Sequence, residues 1–179
     1  MPMSIPLAKA ISEALEKFAA RGERRLIPRG KDQIAYLYRN FLEGKPAPDG
    51  EPGLLLHKFV ASDTFEQLHN HPWTWSVSFI LEGSYRETRE VIQTRQGNGK
   101  ILLRRQWQRD FKPGDHNYIA RNDFHRVDLI SNHVWTLFLH GPREGDWSFV
   151  PENYGEFVIP RMVTKRTFDV REKVDKAVR

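Results

Sequence analysis

At 179 residues, with 39% apolar and 28% charged side chains, the chain can fold as one domain with a sizeable core and lacks the bias of a disordered or fibrous protein. No apolar run approaches the roughly 18 residues that cross a bilayer, so no membrane partner is expected, and the absence of cysteine excludes disulfides and thiolate metal sites. The formal charge of +5 is lopsided: Arg161 to Arg179 hold seven basic and three acidic residues, a tail that reads as a solvated face, and no nucleic-acid partner is expected.

Leu7, Ile11, Leu15 and Phe18 recur at helical spacing, which predicts an amphipathic helix over residues 6–20 that ends near Gly22. Lys9, Glu13, Glu16 and Lys17 break the apolar stretch an export signal would need, so a cytoplasmic location is expected. The apolar stripe of this helix needs the outside of a sheet to lie on. From Gln33 the texture changes to short β-rich runs. Residues 34–42 and 53–60 flank the loop EGKPAPDGEP, and an apolar run covers 73–81. Residues 85–94 and 100–108 flank RQGNG, whose Asn98-Gly99 is a hairpin signal. Further strands are expected at 116–120, 125–130 and 134–140, and DWSFV at 146–150 reads as a last one. So many short strands predict a mostly β fold, an antiparallel double-sheet sandwich or barrel. The chain then divides, within a single domain 1–179, into a helical arm (1–32), a barrel (33–160) and a short basic C-terminal tail (161–179).

Chemistry concentrates in the stretch HNHPWTWSVSFILEG, His69 to Gly83. On a strand, side chains two apart share a face about 7 Å from one another. His69 and His71 can therefore converge on one ion, since metal–nitrogen bonds are about 2 Å long. A third ligand must come from a neighbouring strand, and KPGDHNYIARNDFHRV offers His125 after two turns.

These two stretches resemble the paired motifs of the cupin superfamily, small β-barrels of jelly-roll type that often hold a metal between two sheets. The first motif reads G-x5-H-x-H-x(3,4)-E-x6-G; His69, His71 and Gly83 stand in register, with Asp63 at the first glycine and Ser76 at the glutamate. The second reads G-x5-P-x-G-x2-H-x3-N; Gly114 and His125 stand in register, with Ala120, Asn122 and Leu129 at the proline, second glycine and asparagine. The resemblance implies a metal held by His69, His71 and His125 and no acidic ligand. That set is similar to three-histidine cupin dioxygenases, which implies Fe(II) and O2. Imidazole itself suits Zn, Cu, Fe and Ni alike, so ligand type does not select the metal; Zn, Ni and Mn stand as the alternatives to Fe(II). Three neutral donors leave an ion's charge uncompensated, which favours a small anionic substrate. The expected function is thus an Fe(II)-dependent oxygenase. The alternatives are a non-catalytic cupin that binds or senses a small molecule, and a Zn- or Ni-dependent isomerase or hydrolase.

Straight alternation from His69 would put Trp73, Trp75, Val77, Phe79 and Leu81 on the ligand face. The motif requires the opposite parity, so a bulge is expected near Pro72. Ser76, Ser78 and Ile80 then face the cavity, with Ser76 in the carboxylate's place, where a glutamate would add a fourth ligand. The aromatic face lies outside, to be covered by the helix or by a second copy in a homodimer. Tyr118, Trp107, His57 and one of Arg104 and Arg105 are further candidates for contact with substrate; an inward Arg104 would fork onto a carboxylate. Glu66 and Glu82 lack the motif offset, and His116, His133 and His140 read as structural.

Overall fold

The structure, a computed structural model, describes residues 5–29, 34–43, 45–48, 50–63, 68–94 and 101–149; side chains are described for these except 5–8, 29, 34, 91–94 and 101–105. One helix, α1 (Ile5–Ala19), precedes β1 (Arg24–Arg29), β2 (Ile34–Phe41), β3 (Gly53–Phe59), β4 (Trp75–Glu82), β5 (Tyr85–Thr94), β6 (Ile101–Phe111), β7 (His116–Ala120), β8 (Asp123–Leu129) and β9 (Val134–His140). A six-stranded sheet runs β1-β2-β3-β9-β4-β7 and a three-stranded one β6-β5-β8. Every pairing is antiparallel. Among the described residues the fold is mostly β, two sheets of jelly-roll type with one helix. Among these residues the sheets do not close into a continuous barrel; His69, which precedes β4 and lies outside both sheets, bridges to His125 of β8.

Two features depart from the sequence reading. The stretch read as a helical arm holds a strand, β1, whose register on β2 shifts at Pro28. Leu26 and Ile27 gave too short an apolar run to announce it. Of the described residues 146–149, Phe149 forms an isolated bridge to His69, and the Ser148 carbonyl accepts from the Asn70 amide. The hairpin expected at Asn98-Gly99 and the tail 161–179 lie outside the described residues.

Strand alternation sorts the sheet faces. On the outside, α1 lies over Leu56 of β3 and Trp135 of β9, with Ala19, Leu15, Leu42 and Leu81 around them. Glu16 of α1 accepts hydrogen bonds from Arg24 and Lys58, which fixes the helix to the sheet. Trp135 is fully buried there. Trp135→Ala should therefore cost about 3–5 kcal/mol through cavity formation, read as a lower urea midpoint. Leu81 is covered as expected, whereas Phe79 and Tyr118 stay 43% and 54% exposed on the same outer face.

On the inside, Ile80, Tyr85, Phe111, Val127 and Val134 form one core cluster. Phe41, Leu55, Trp73 and Phe138 form a second, with Trp147 against it. Gly83 turns β4 into β5 at φ +74°, and a Cβ there would stand 2.2 Å from the His133 carbonyl. Only glycine meets both demands.

Candidate metal centre

His69 and His125 lie directly opposite one another: the His69 amide donates to the His125 carbonyl (3.0 Å) and the His125 amide to the His69 carbonyl (2.8 Å). His71, two residues on, projects to the same side. The three histidines bring one ring nitrogen each to within 4.8 Å of one another. His71 Nε2 and His125 Nε2 are 2.9 Å apart. Metal–nitrogen bonds near 2 Å place neighbouring donors about 3 Å apart, so this spacing fits a divalent ion. Among the described residues no carboxylate joins the group.

The parity change after His71 is a break rather than a bulge. The Pro72 carbonyl accepts from the Glu144 and Gly145 amides, and the Thr74 amide donates to Pro142. Residues 72–74 thus leave the ladder, and β4 begins at Trp75 with Ser76, Ser78 and Ile80 buried. Trp73, expected outside, instead packs inside, stacked on His140 (4.4 Å) and edge-on to His71 (5.4 Å).

Ser76 requires a correction. It faces inward but does not line the cavity; its Oγ lies 3.2 Å from His71 Nδ1, behind the ring. The hydroxyl can donate to that nitrogen or accept from it, so His71 is free to take either tautomer. A glutamate at this position would meet the back of His71 rather than an ion. Ser76→Glu should lower stability by about 1–3 kcal/mol through overpacking, without the gain in metal affinity first expected and without recovery when metal is added. Thermal melts with and without Zn(II) check this.

The far nitrogen of His125 has a stronger partner. His125 Nδ1 donates to Glu87 Oε1 at 2.8 Å, because an ionised carboxylate only accepts. That leaves Nε2 as the free, metal-binding nitrogen. Glu87 is fully buried, and it also accepts from Arg89 Nε (3.1 Å), Arg89 Nη2 (3.0 Å) and Asn117 Nδ2 (2.9 Å). Burial alone would raise its pKa, but the His125 hydrogen bond and the Arg89 charge outweigh it and hold the group at about 2. Arg89 reaches onward to Asp123 Oδ2 (3.2 Å), Asn117 Oδ1 (2.5 Å) and the Tyr118 carbonyl (2.6 Å). Asp63, at the place of the motif's first glycine, accepts from the Val127 amide (2.6 Å) and stands 4.0 Å from His69 Nδ1. The charge expected to be uncompensated is thus partly met behind the ligands. Glu87 is neutralised by Arg89, and neither carboxylate belongs to the donor group.

These outer residues escaped the sequence reading because buried charges look like solvent-facing ones in a strand. The available signal was parity: Tyr85, Glu87 and Arg89 alternate onto one face of β5.

A cavity of about 140 Å³ opens beside the histidines, walled by Ile27, Leu37, Phe59, Ile119, Val127 and Phe138. Ser78 and His57 line it, as do Arg39, Asn117 and Trp147. The Arg39 guanidinium lies 5.7 Å from both the Trp73 and Trp147 rings. His57 stacks on Phe138 (4.6 Å, 21°), is 3% exposed, and neither ring nitrogen has a hydrogen-bond partner among the described residues. Each such buried group costs about 1–3 kcal/mol until something satisfies it. Tyr118 does not reach the cavity: on β7 the inward positions are Asn117 and Ile119, so alternation turns it outward. Trp107 sits under Arg89 (5.0 Å) instead of in the pocket. Arg104 pairs by its backbone with Ile92, and its side chain, like that of Arg105 and all of Glu66, lies outside the described residues. His133 meets Glu82 (3.3 Å), and His116 is exposed.

Burial lowers the pKa of all three unpaired or weakly paired rings. His69 falls to about 4 despite the opposing Asp63 charge, and His71 and His57 fall well below the ordinary value. The unfolded chain takes protons near pH 6.5, where the folded one does not. Stability of the metal-free protein should therefore hold above pH 6.5 and fall as pH drops from about 6.5 to 4, by up to about 1.4 kcal/mol per pH unit for each such group. Protons should compete with bound metal at His69 only near pH 4. Urea melts and equilibrium dialysis across pH 4–8 measure both.

No family model matches the chain, and no curated protein matches it. Several solved structures are similar to it. Hydroxypropylphosphonic acid epoxidase from S. wedmorenis is 10% identical with a TM-score of 0.42, over 65% of this chain and 55% of that one. KdgF from Halomonas sp. is 14% identical with a TM-score of 0.40, over 60% and 80%. HEPD from Streptomyces albus, with 2-hydroxyethylphosphonate and Fe(II) bound, is 15% identical with a TM-score of 0.48, over 69% and 25%. The chain thus spans little more than half of the epoxidase's length and a quarter of HEPD's. Function has to be argued from the site itself.

Proposed function

We propose that this chain is a cytoplasmic metal-dependent oxygenase that holds one divalent ion, Fe(II), through His69, His71 and His125 and oxidises a small anionic substrate with O2. The observation that carries the reading is a donor group of three imidazoles, with no carboxylate among them, beside a small apolar cavity. Iron bound there would supply redox chemistry and open coordination positions for substrate and O2.

The chain's own residues do the rest. Glu87 fixes His125 with Nε2 toward the site, and Ser76 supports His71 from behind. Phe138, Ile119 and Val127 give the cavity apolar walls. Arg39 adds positive potential, which favours an anion in a site of low dielectric. Among the described residues Asp63 is the cavity's carboxylate and already accepts from the Val127 amide, which leaves the neutral His57 ring as the wall's other basic group. The homodimer expected from the outer face would bury Phe79 and Tyr118, and sedimentation checks it.

The protein should be purified without air, analysed for metal, loaded with Fe(II) and presented with small carboxylates while O2 is followed. Uptake that requires both Fe(II) and a carboxylate supports the proposal. Turnover without O2 by Zn- or Ni-loaded protein would replace it with an isomerase or hydrolase. Failure to retain any metal would leave a binding module.

A further inference from the structure

His57 faces the cavity from the middle of β3, between the inward-facing Leu55 and Phe59. Its cross-strand neighbours are Arg39 on β2 and Thr136 on β9, and neither gives its ring a hydrogen bond. Leu56 and Lys58, on the opposite face, are spent on α1. A histidine used to support the core would be hydrogen-bonded, as Glu87 and Asn117 are. Here a donor and an acceptor are both left over, at a cavity wall, beside the metal-ligand group. Phe138 joins the two places: its ring is 4.6 Å from His57 on one side and 5.8 Å from His71 on the other.

We propose that His57 is a second anchor of the ligand site, and that the ligand is a small hydroxy acid. Its carboxylate lies toward the three histidines, its apolar body covers Phe138, and its hydroxyl meets the His57 ring. A hydroxyl both donates and accepts, so it matches a neutral imidazole, which offers one nitrogen of each kind. A second carboxylate would use only the N–H and would carry another buried charge. The apolar walls and the cavity's volume of about 140 Å³ limit the body to a few carbons or one ring. This inference rests on the metal-site reading and adds the class of substrate to it.

The test uses zinc-loaded protein and two probe series, unbranched four- to six-carbon carboxylates and the same acids with a terminal hydroxyl. Affinities are measured by calorimetry for wild type, His57→Phe and His57→Gln, with metal content and a melt of the metal-free form recorded for each. The wild type should prefer a hydroxy acid over its parent by about tenfold, the value of one well-made buried hydrogen bond. His57→Phe should hold the same metal and lose that preference to within about twofold. It should also melt no lower than wild type without ligand, because an unsatisfied polar ring has been removed. His57→Gln, with a donor and an acceptor, should keep the preference. No preference in the wild type at any chain length would overturn the proposal, as would a preference retained in His57→Phe. A His57→Phe protein that melts lower or does not fold would mark His57 as core, against the proposal. Absence of zinc from the wild type would instead count against the metal-site reading, and the metal analysis separates the two.

Discussion

His125→Ala should lower the divalent metal held by the chain from about one equivalent to less than a tenth, with the fold retained. Two imidazoles remaining on one short segment chelate far more weakly than three converging from two segments. His125 is also the ligand whose second nitrogen is fixed most firmly, by the 2.8 Å bond to Glu87. Its loss removes the most preorganised donor. The protein should survive because Glu87 keeps its bonds from Arg89 and Asn117. Circular dichroism should therefore be unchanged while metal content falls. Metal content equal to wild type in a folded variant would exclude His125 as a ligand.

The second large effect belongs to Glu87, which touches no ion. Glu87→Ala leaves the Arg89 guanidinium buried with Asp123 as its remaining carboxylate and should cost about 3–5 kcal/mol. It also releases His125 Nδ1, and metal affinity should fall about 10–100-fold. Glu87→Gln separates the contributions. Its amide oxygen still accepts from His125, so affinity should recover most of the loss while stability recovers little. The acid limb carries the same signature. Because the folded pKa of Glu87 is held at about 2, the stability it supplies is complete above the ordinary carboxylate range and is lost as pH falls toward 2. In Glu87→Gln that part of the pH dependence should vanish. Equal metal affinity in Glu87→Ala and wild type would mean that His125 is held without it.

The contrast between His125 and Glu87 shows what could be read in the chain and what could not. His69, His71 and His125 announce themselves by residue type and by turns at the right spacing. The strands around them follow from period-two apolar patterns, and the amphipathic helix from its stripe. Glu87, Arg89 and Asn117 are polar residues on polar-looking strands, where parity groups Glu87 and Arg89 with Tyr85 on one face but does not say that this face is buried. Their position follows only from the pairing of β5 with β8 and of β7 with β4. Ser76 illustrates the same limit at finer scale. Its inward facing was legible, but its contact with the rear of His71 depends on where residues 72–74 leave the ladder. Tyr118 was misplaced because one side chain on a five-residue strand has no pattern long enough to fix its parity.

X-ray absorption on metal-loaded protein reads directly whether three imidazoles hold one divalent ion. Three imidazole nitrogens at about 2.0–2.2 Å, with their ring scattering and no carboxylate among the protein donors, is the expected spectrum. It should reduce to two imidazoles in whatever metal His125→Ala retains. A shell of oxygen donors alone, or the same spectrum in wild type and His125→Ala, would contradict it.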